Sequence, residues 1–256
     1  MQCLSLHLSF YNHMQKRKVE VCFTPESIQY YDISNSHIIV VDVLRATSAI
    51  CAAFANGAKA VIPVPSIDEA RKAKERGYIV AAERDGVTLD FADFGNSPFN
   101  FTPERIGGRE VAYSTTNGTR AIIEASKGLS VVVASFINIT AVASWVKSTN
   151  DGDVLVLCAG WKGKFCLEDT LFAGAFAQQL LATVAFETHC DSAQAAMQLW
   201  DRAKGDIKSY LELVAQRHRL KKLGLDDVLD YCFTPDSSSV VPVLRKGKLV
   251  AAKPQL

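Results

Sequence analysis

Runs of β-branched and apolar residues alternate along the chain with stretches whose apolar positions recur every three or four residues. Val19-Glu20-Val21-Cys22-Phe23 alternates with period two, whereas His37-Ile38-Ile39-Val40-Val41 is continuously apolar, as a strand covered on both faces would be. Ala46, Ala49, Ile50, Ala53 and Phe54 then follow a helical spacing, and Gly57 closes that helix. The alternation repeats. Ala60-Val61-Ile62-Pro63-Val64 precedes a helical stretch around Asp68 to Arg76, and Tyr78-Ile79-Val80-Ala81-Ala82 leads into a Gly/Asp-rich section. Val131-Val132-Val133-Ala134 precedes a helix carrying Ile139, Val142, Ala143 and Val146, and Asp153-Val154-Leu155-Val156-Leu157 leads through a glycine loop into a helix from about Leu167 to Phe186. Strands that alternate with helices make βαβ units. The expected fold is therefore α/β, a three-layer α/β/α arrangement around a largely parallel or mixed sheet.

Past about Asp191 the pattern is helical only, with Trp200, Tyr210, Leu211 and Leu213 as expected packing residues. The tail Val240-Val241-Pro242-Val243-Leu244, Arg245-Lys246-Gly247-Lys248, Leu249-Val250-Ala251 reads as a β-hairpin, and Pro242 predicts an edge position for it. No repeat or linker separates independent domains. One domain over 14–256 is expected, with the helical part at about 190–232 as a possible subdomain. Residues 1–13 read as an extension, with Met14 opening the folded part: the basic cluster Lys16-Arg17-Lys18 follows the mildly apolar start, the reverse of a signal peptide's order.

Composition narrows the function classes. The 256 residues are 48% hydrophobic and 21% charged with a net charge of +1, which gives no electrostatic case for nucleic acid, a membrane surface or an acidic partner. Any anionic ligand must be held by local groups. Seven cysteines without a CxxC pair fit reduced thiols and a cytoplasmic location, and there is no transmembrane span.

The chemistry is expected outside the carboxyl ends of the strands, where open α/β sheets bind ligands. After Val41 come Asp42, Arg45, Thr47 and Ser48; after Ala82 come Glu83, Arg84 and Asp85. The run Glu110-Val111-Ala112-Tyr113 is followed by Ser114, Thr115, Thr116, Asn117, Gly118 and Thr119, a segment with more small polar residues than a helix cap needs and suited to an oxyanion socket. Ser135 and Asn138 follow Ala134; after Leu157 come Cys158, Gly160, Lys162 and Lys164, then Glu168 and Asp169. Carboxylates beside a phosphate socket repel the ligand unless a cation mediates, and Mg²⁺, an oxygen-liganded ion that bridges to phosphate, is the expected one.

Each residue also has a plainer reading. Asp42 can pair with Arg45; Glu83, at the end of an apolar run, requires either a metal or an arginine partner. Glu168 and Asp169 suit the first turn of any helix, Lys162 and Lys164 suit a solvated loop, and Trp161 is either a lid or an exposed aromatic. The histidines lie outside the strand-end set, which argues against a histidine base or a His-rich zinc site. Two phosphatase signatures fail: Leu44 stands where a haloacid-dehalogenase-type motif needs a second Asp, and Lys164 stands where a cysteine-phosphatase loop beginning at Cys158 needs Arg.

At these residues the chain resembles the 2-phosphosulfolactate phosphatase family. The matching segments are Val41-Asp42-Val43-Leu44-Arg45-Ala46-Thr47-Ser48, Glu83-Arg84-Asp85-Gly86, Phe94-Gly95-Asn96-Ser97-Pro98, Ser114 to Thr119, Ala134-Ser135-Phe136-Ile137-Asn138, and Cys158-Ala159-Gly160 with Glu168-Asp169. The resemblance implies Mg²⁺-dependent hydrolysis of (2R)-O-phospho-3-sulfolactate to 3-sulfolactate and phosphate, a reaction of coenzyme M biosynthesis. Under it, Asp42, Glu83, Glu168 and Asp169 form the metal set and Asp42 and Arg45 the catalytic pair. Thr47, Ser48, Arg84, Ser114 to Thr119, Ser135, Asn138, Lys162 and Lys164 are expected to bind the small anionic phosphoester. Attack by water or by the Asp42 carboxylate stays open, as do another small phosphorylated acid as substrate, a non-catalytic metabolite-binding module and a homo-oligomer.

Overall fold

The computed structural model describes residues 16–252, so the expected start of the fold at Met14 lies outside the described residues. Eleven strands form one mixed sheet: β1 (Arg17–Cys22), β2 (Ser36–Val41), β3 (Ala60–Pro63), β4 (Ile79–Arg84), β5 (Val87–Thr88), β6 (Glu110–Ser114), β7 (Ser130–Ala134), β8 (Asp153–Cys158), β9 (Phe186–Glu187), β10 (Pro242–Arg245) and β11 (Lys248–Ala251). Their order is β5-β4-β6-β3-β11-β10-β7-β2-β8-β1-β9. The helices are α1 (Ala46–Ala55), α2 (Ile67–Glu75), α3 (Pro103–Ile106), α4 (Gly118–Glu124), α5 (Ile139–Ser148), α6 (Leu167–Leu181), α7 (Asp191–Ala203), α8 (Ile207–Leu211), α9 (Ala215–Lys222) and α10 (Leu229–Cys232). The three-layer α/β/α expectation holds.

Two parallel blocks make up the sheet, β4-β6-β3 and β7-β2-β8-β1-β9. The C-terminal hairpin joins them by antiparallel pairing to β3 on one side and β7 on the other. Pro242 therefore does not mark an edge: the hairpin sits near the middle of the sheet. It is tolerated as the first residue of β10, where a missing N–H interrupts no continuing ladder. The turn itself follows the sequence, since Lys246 (φ 50°) and Gly247 (φ 79°) both take the left-handed backbone of a tight hairpin.

One face of β2, β7 and β8 supplies Ile38, Val40, Val131, Val133, Leu155 and Leu157 to a core shared with α1, α4 and the other block's Val61, Ile79, Val111 and Tyr113. The opposite face packs Ile39, Val41, Val132, Val154 and Val156 against α5, α6, α7 and the later helices. Three successive antiparallel pairings reverse one block relative to the other, and both blocks pack on α1 and α4, with Asp42 after β2, Glu83 at the end of β4 and Asn117 after β6 lining one cleft. This is where the polar residues converge.

Two further expectations change. The helix from Leu167 ends at Leu181 rather than at Phe186, because Phe186 belongs to the edge strand β9 beside β1, with the Arg17 guanidinium 4.7 Å from its ring centroid. Leu213, expected to pack, is 69% exposed between α8 and α9, while Trp200 stacks beside Phe136 with centroids 5.6 Å apart and Leu211 is buried.

Candidate active site

A narrow cleft opens where the β2–α1 loop, the β4–β5 turn, the loop before α4 and the start of α6 come together. Its lining includes Asp42, Arg45, Glu83, Asn96, Asn117, Glu168 and Asp169. The β2–α1 loop forms one wall and is tied to the first turn of its own helix. Thr47 donates its hydroxyl to the Asp42 carbonyl (2.9 Å) and accepts the Asp42 N–H (3.0 Å), and the Ser48 hydroxyl donates to the Val43 carbonyl (2.8 Å). Thr47 and Ser48 thus fasten the loop and do not line the cleft. The Leu44–Arg45 peptide is cis.

Arg45 is 4% exposed and forms no ion pair among the described residues. Its Nη2 donates to Asn96 Oδ1 at 2.7 Å, while Nη1 is buried without a hydrogen-bond partner. The alternative pairing with Asp42 is therefore not made. A buried guanidinium that lines a cleft and has one nitrogen without a partner is suited to an external anion.

Four carboxylates share this space, and their duties differ. Glu83 pairs with no arginine among the described residues: Oε1 accepts the Thr116 N–H (2.8 Å), and Oε2 accepts the Gly86 N–H (2.6 Å) and the Thr116 hydroxyl (3.3 Å). Backbone donors satisfy a buried carboxylate in place of an arginine. Asp169 likewise accepts the Val43 N–H (2.9 Å) and the Gly160 N–H (3.2 Å), binding α6 to the walls of the cleft. Asp42 Oδ1 accepts the Ala46 N–H at 3.2 Å. Glu168, also buried, pairs with no cation among the described residues.

This crowding shifts the titrations. Burial, then the charges of Glu83 and Glu168, pushes Asp42 up to about 7, against the opposing bond from Ala46 and the charge of Arg45. Asp169 is raised well above the carboxylate range by burial and by the charges of Glu168 and Asp42; burial also raises Glu168, which Arg219 partly offsets. Carboxylates forced together in low dielectric resist ionising together. A divalent cation would relieve that repulsion.

The segment 114–119 spends most of its donors internally. Ser114 accepts from Arg84 (3.0 Å); the Thr115 and Thr119 hydroxyls face each other (3.2 Å) and each accepts the other residue's backbone N–H; Thr116 serves Glu83. The loop does hold an anion, and it is the Glu83 carboxylate. Only Asn117 of this segment lines the cleft. Gly118 makes the close approach possible: a Cβ there would lie 2.5 Å from Ala46 Cβ and 2.9 Å from Asp42 Oδ2. Arg84 also donates to the Glu83 carbonyl (2.6 Å) and, with Thr115 and Thr116, lines a separate surface cleft near Arg120.

Lys162 and Lys164 are exposed; Lys162 pairs with Asp85 at 2.8 Å and its N–H donates to Asn117 Oδ1 at 3.0 Å. Ser135 and Asn138 lie buried outside the cleft, where Asn138 Oδ1 accepts the Ser135 N–H and its amide nitrogen donates to the Val240 carbonyl. His37 sits at the start of β2, bonded to Ser130 and the Asp151 carbonyl.

The lining residues absent from the expected site include Asn96, Cys166, Gln216 and Leu220. The last two come from α9, which caps the cleft with Trp161. Nothing periodic signals them, because a glutamine in Ala215-Gln216-Arg217-His218-Arg219 reads as a solvated helix face. Its 7% exposure is a tertiary result.

The cysteine alternative is tested by burial. Cys158 ends β8 fully buried, off the cleft lining, with its thiol pushed well above the usual range by burial and then by the charge of Asp169. A nucleophilic cysteine needs the opposite shift. Cys158→Ser is expected to keep phosphate release within roughly tenfold of wild type, where loss of a true thiolate nucleophile would be near-total; a folded, inactive Cys158→Ser protein would reverse the assignment.

Comparison with known proteins follows the same residues. Positions 22–247 match the family model described as 2-phosphosulpholactate phosphatase. Three curated proteins named probable 2-phosphosulfolactate phosphatase are similar over nearly their whole lengths. That from Gloeobacter violaceus is 39% identical over 88% of this chain and 94% of its own length, and that from Caldanaerobacter subterraneus 33% over 88% and 94%. The protein from Clostridium acetobutylicum is 31% identical over 91% of this chain and 100% of its own length. Together with the cleft built from Asp42, Arg45, Glu83, Glu168 and Asp169, this coverage shows that the chain belongs to the 2-phosphosulfolactate phosphatase family.

Proposed function

We propose that the protein is a Mg²⁺-dependent phosphatase that hydrolyses (2R)-O-phospho-3-sulfolactate to (2R)-3-sulfolactate and phosphate. The observation that carries this reading is the buried Arg45, which lines a cleft together with Asp42, Glu83, Glu168 and Asp169 and whose Nη1 has no partner among the described residues. Arg45 binds the transferred phosphoryl group and stabilises charge on its oxygens as the bond to the leaving oxygen breaks. Asn96 holds the guanidinium in place from behind. Family membership supplies the substrate.

The donor set fits Mg²⁺. It is all oxygen, Asp42 Oδ2 takes no backbone donor among the described residues, and a divalent charge would offset the repulsion that raises Asp42 and the burial that raises Glu168. Among the described residues no three His, Cys, Asp or Glu side chains already stand together as a ligand cluster. Mg²⁺ is commonly held by one or two carboxylates with water and substrate completing its shell. Asp42 and Glu168 would hold it; Glu83 and Asp169 orient the loops around them. When bound, the cation neutralises phosphoryl oxygens and lowers the cost of bringing a polyanion to acidic walls.

The test is phosphate release from 2-phosphosulfolactate and a panel of other small phosphoesters, with Mg²⁺ and after dialysis against EDTA. Activity is expected to vanish in EDTA and return with Mg²⁺, and Mg²⁺ alone is expected to raise the melting temperature of wild type but not of Asp42→Asn. Full activity in EDTA would exclude the metal; tight binding of phosphosulfolactate without phosphate release from any ester would favour a binding module. Among the described residues no helix is long and apolar enough to cross a membrane.

A further inference from the structure

The cleft presents carboxamides in a consistent orientation. Asn96 Oδ1 accepts from Arg45, Asn117 Oδ1 from the Lys162 N–H, and Gln216 Oε1 from Arg219 Nε at 2.6 Å. In each case the oxygen is already taken by a group that can only donate, so the NH₂ is the free end of the amide. Gln216 is the member that comes from the cap. Arg219, which orients it, has its guanidinium carbon over the Trp161 ring, 4.5 Å from the centroid, and forms no ion pair with a carboxylate among the described residues. The guanidinium, held between the indole and Gln216, has no acceptor, so reversing the amide would set its NH₂ against a donor and lose the bond. Leu220, one turn on, closes the same wall with an apolar surface.

A substrate that keeps an acid group on its leaving part must place that group somewhere other than on Arg45, which takes the phosphoryl end. Carboxylates occupy much of the remaining wall and would repel it. The cap offers a neutral donor backed by a guanidinium. We propose that Gln216, oriented by Arg219, is a specificity-determining residue that donates its NH₂ to the acid group the substrate retains after phosphate leaves. The proposal deepens the phosphatase reading and rests on it. No bond changes at Gln216.

Two near-isosteric variants test it. Gln216→Met removes the donor and keeps the volume; Gln216→Glu keeps an acceptor for Arg219 and replaces the donor by a negative charge. Each is assayed on 2-phosphosulfolactate, on 2-phospholactate, which lacks the sulfonate, and on O-phosphoisethionate, which lacks the carboxylate. The Met variant is expected to raise KM for 2-phosphosulfolactate by roughly 10- to 100-fold, and the Glu variant by more, with kcat changing less than KM. That sensitivity should shrink at least tenfold for one of the two truncated esters, which identifies the acid group concerned. A KM within threefold of wild type in both variants, or an equal loss on all three esters, would overturn the proposal, with about threefold taken as the scatter of a side chain that contributes nothing specific. If wild type releases phosphate from none of the esters, the phosphatase reading fails, and calorimetric titration of 3-sulfolactate decides the present point separately. Weaker binding to Gln216→Met than to wild type supports it; equal binding, or none to wild type, rejects it.

Discussion

Arg45→Lys is expected to lower kcat/KM for phosphate release by on the order of 10³-fold, about 4 kcal/mol of transition-state stabilisation. The two nitrogens of Arg45 do different things. Nη2 is anchored on Asn96 Oδ1 at 2.7 Å, and Nη1 is buried without a partner among the described residues. A lysine at this position is shorter and ends in one ammonium, so it either keeps the Asn96 contact or reaches the phosphoryl oxygens, and it loses the planar two-point geometry in both cases. Burial already depresses the Arg45 titration, and a lysine, with its lower starting value, would be driven toward the neutral amine there. Asn96→Ala should show part of the same loss, because the guanidinium then has no fixed back contact. The measurement is steady-state kinetics alongside a melting curve. A kcat/KM for Arg45→Lys within about tenfold of wild type would remove Arg45 from the transition state and with it the main support for phosphoryl transfer in this cleft.

How much of this could be seen in the chain before its fold depends on whether the cause is local. Alternation of buried strand and amphipathic helix is written in neighbouring residues, so β2, α1, β4, β7, α5 and β8 stand close to where their hydrophobic periodicity puts them. Strand order is not local. The insertion of β10 and β11 between β3 and β7 joins residues some 110 to 190 positions apart, and a proline rule that concerns one missing N–H has no access to that pairing. The end of α6 was misplaced for a related reason: Phe186 continues the apolar character of the helix, yet it is buried as a strand beside Arg17 and Phe186's own neighbour Glu187 pairs with Lys18.

The site divides along the same line. Reading residues at strand ends brought out Asp42, Arg45, Glu83, Asn117, Glu168 and Asp169, all of which the fold gathers in one cleft. What residue type alone does not reveal is whether a polar group is free. Thr115, Thr116 and Thr119 look like an open oxyanion socket, but Glu83, more than thirty positions earlier in the chain, fills the donors of Thr116, and Thr115 and Thr119 satisfy each other. The cap was invisible because α9 makes no β-strand, carries mostly charged residues, and reveals its inward face only by packing Gln216 and Leu220 over the cleft.

Gly118→Ala provides the sharpest separation between packing and chemistry at this site. In an exposed helix the change would be stabilising, since alanine is the better helix former by about 1 kcal/mol. Here the new methyl would stand 2.5 Å from Ala46 Cβ and 2.9 Å from Asp42 Oδ2, so α4 or the β2–α1 loop must move. Overpacking of this kind costs roughly 1–3 kcal/mol, enough to lower the melting temperature by several degrees. A displacement of Asp42 by a fraction of an ångström to an ångström is expected to reduce turnover by on the order of 100-fold. The double variant Ala46→Gly with Gly118→Ala distinguishes the two effects. It removes the overlap between the two methyls and should recover most of the lost stability, but it leaves the contact with the Asp42 carboxylate and should recover little of the activity. Recovery of both in parallel would mean that the position of Asp42 tolerates the shift and that Gly118 serves packing alone. Recovery of stability without activity would tie turnover to the placement of the Asp42 carboxylate against the N-terminal turn of α4.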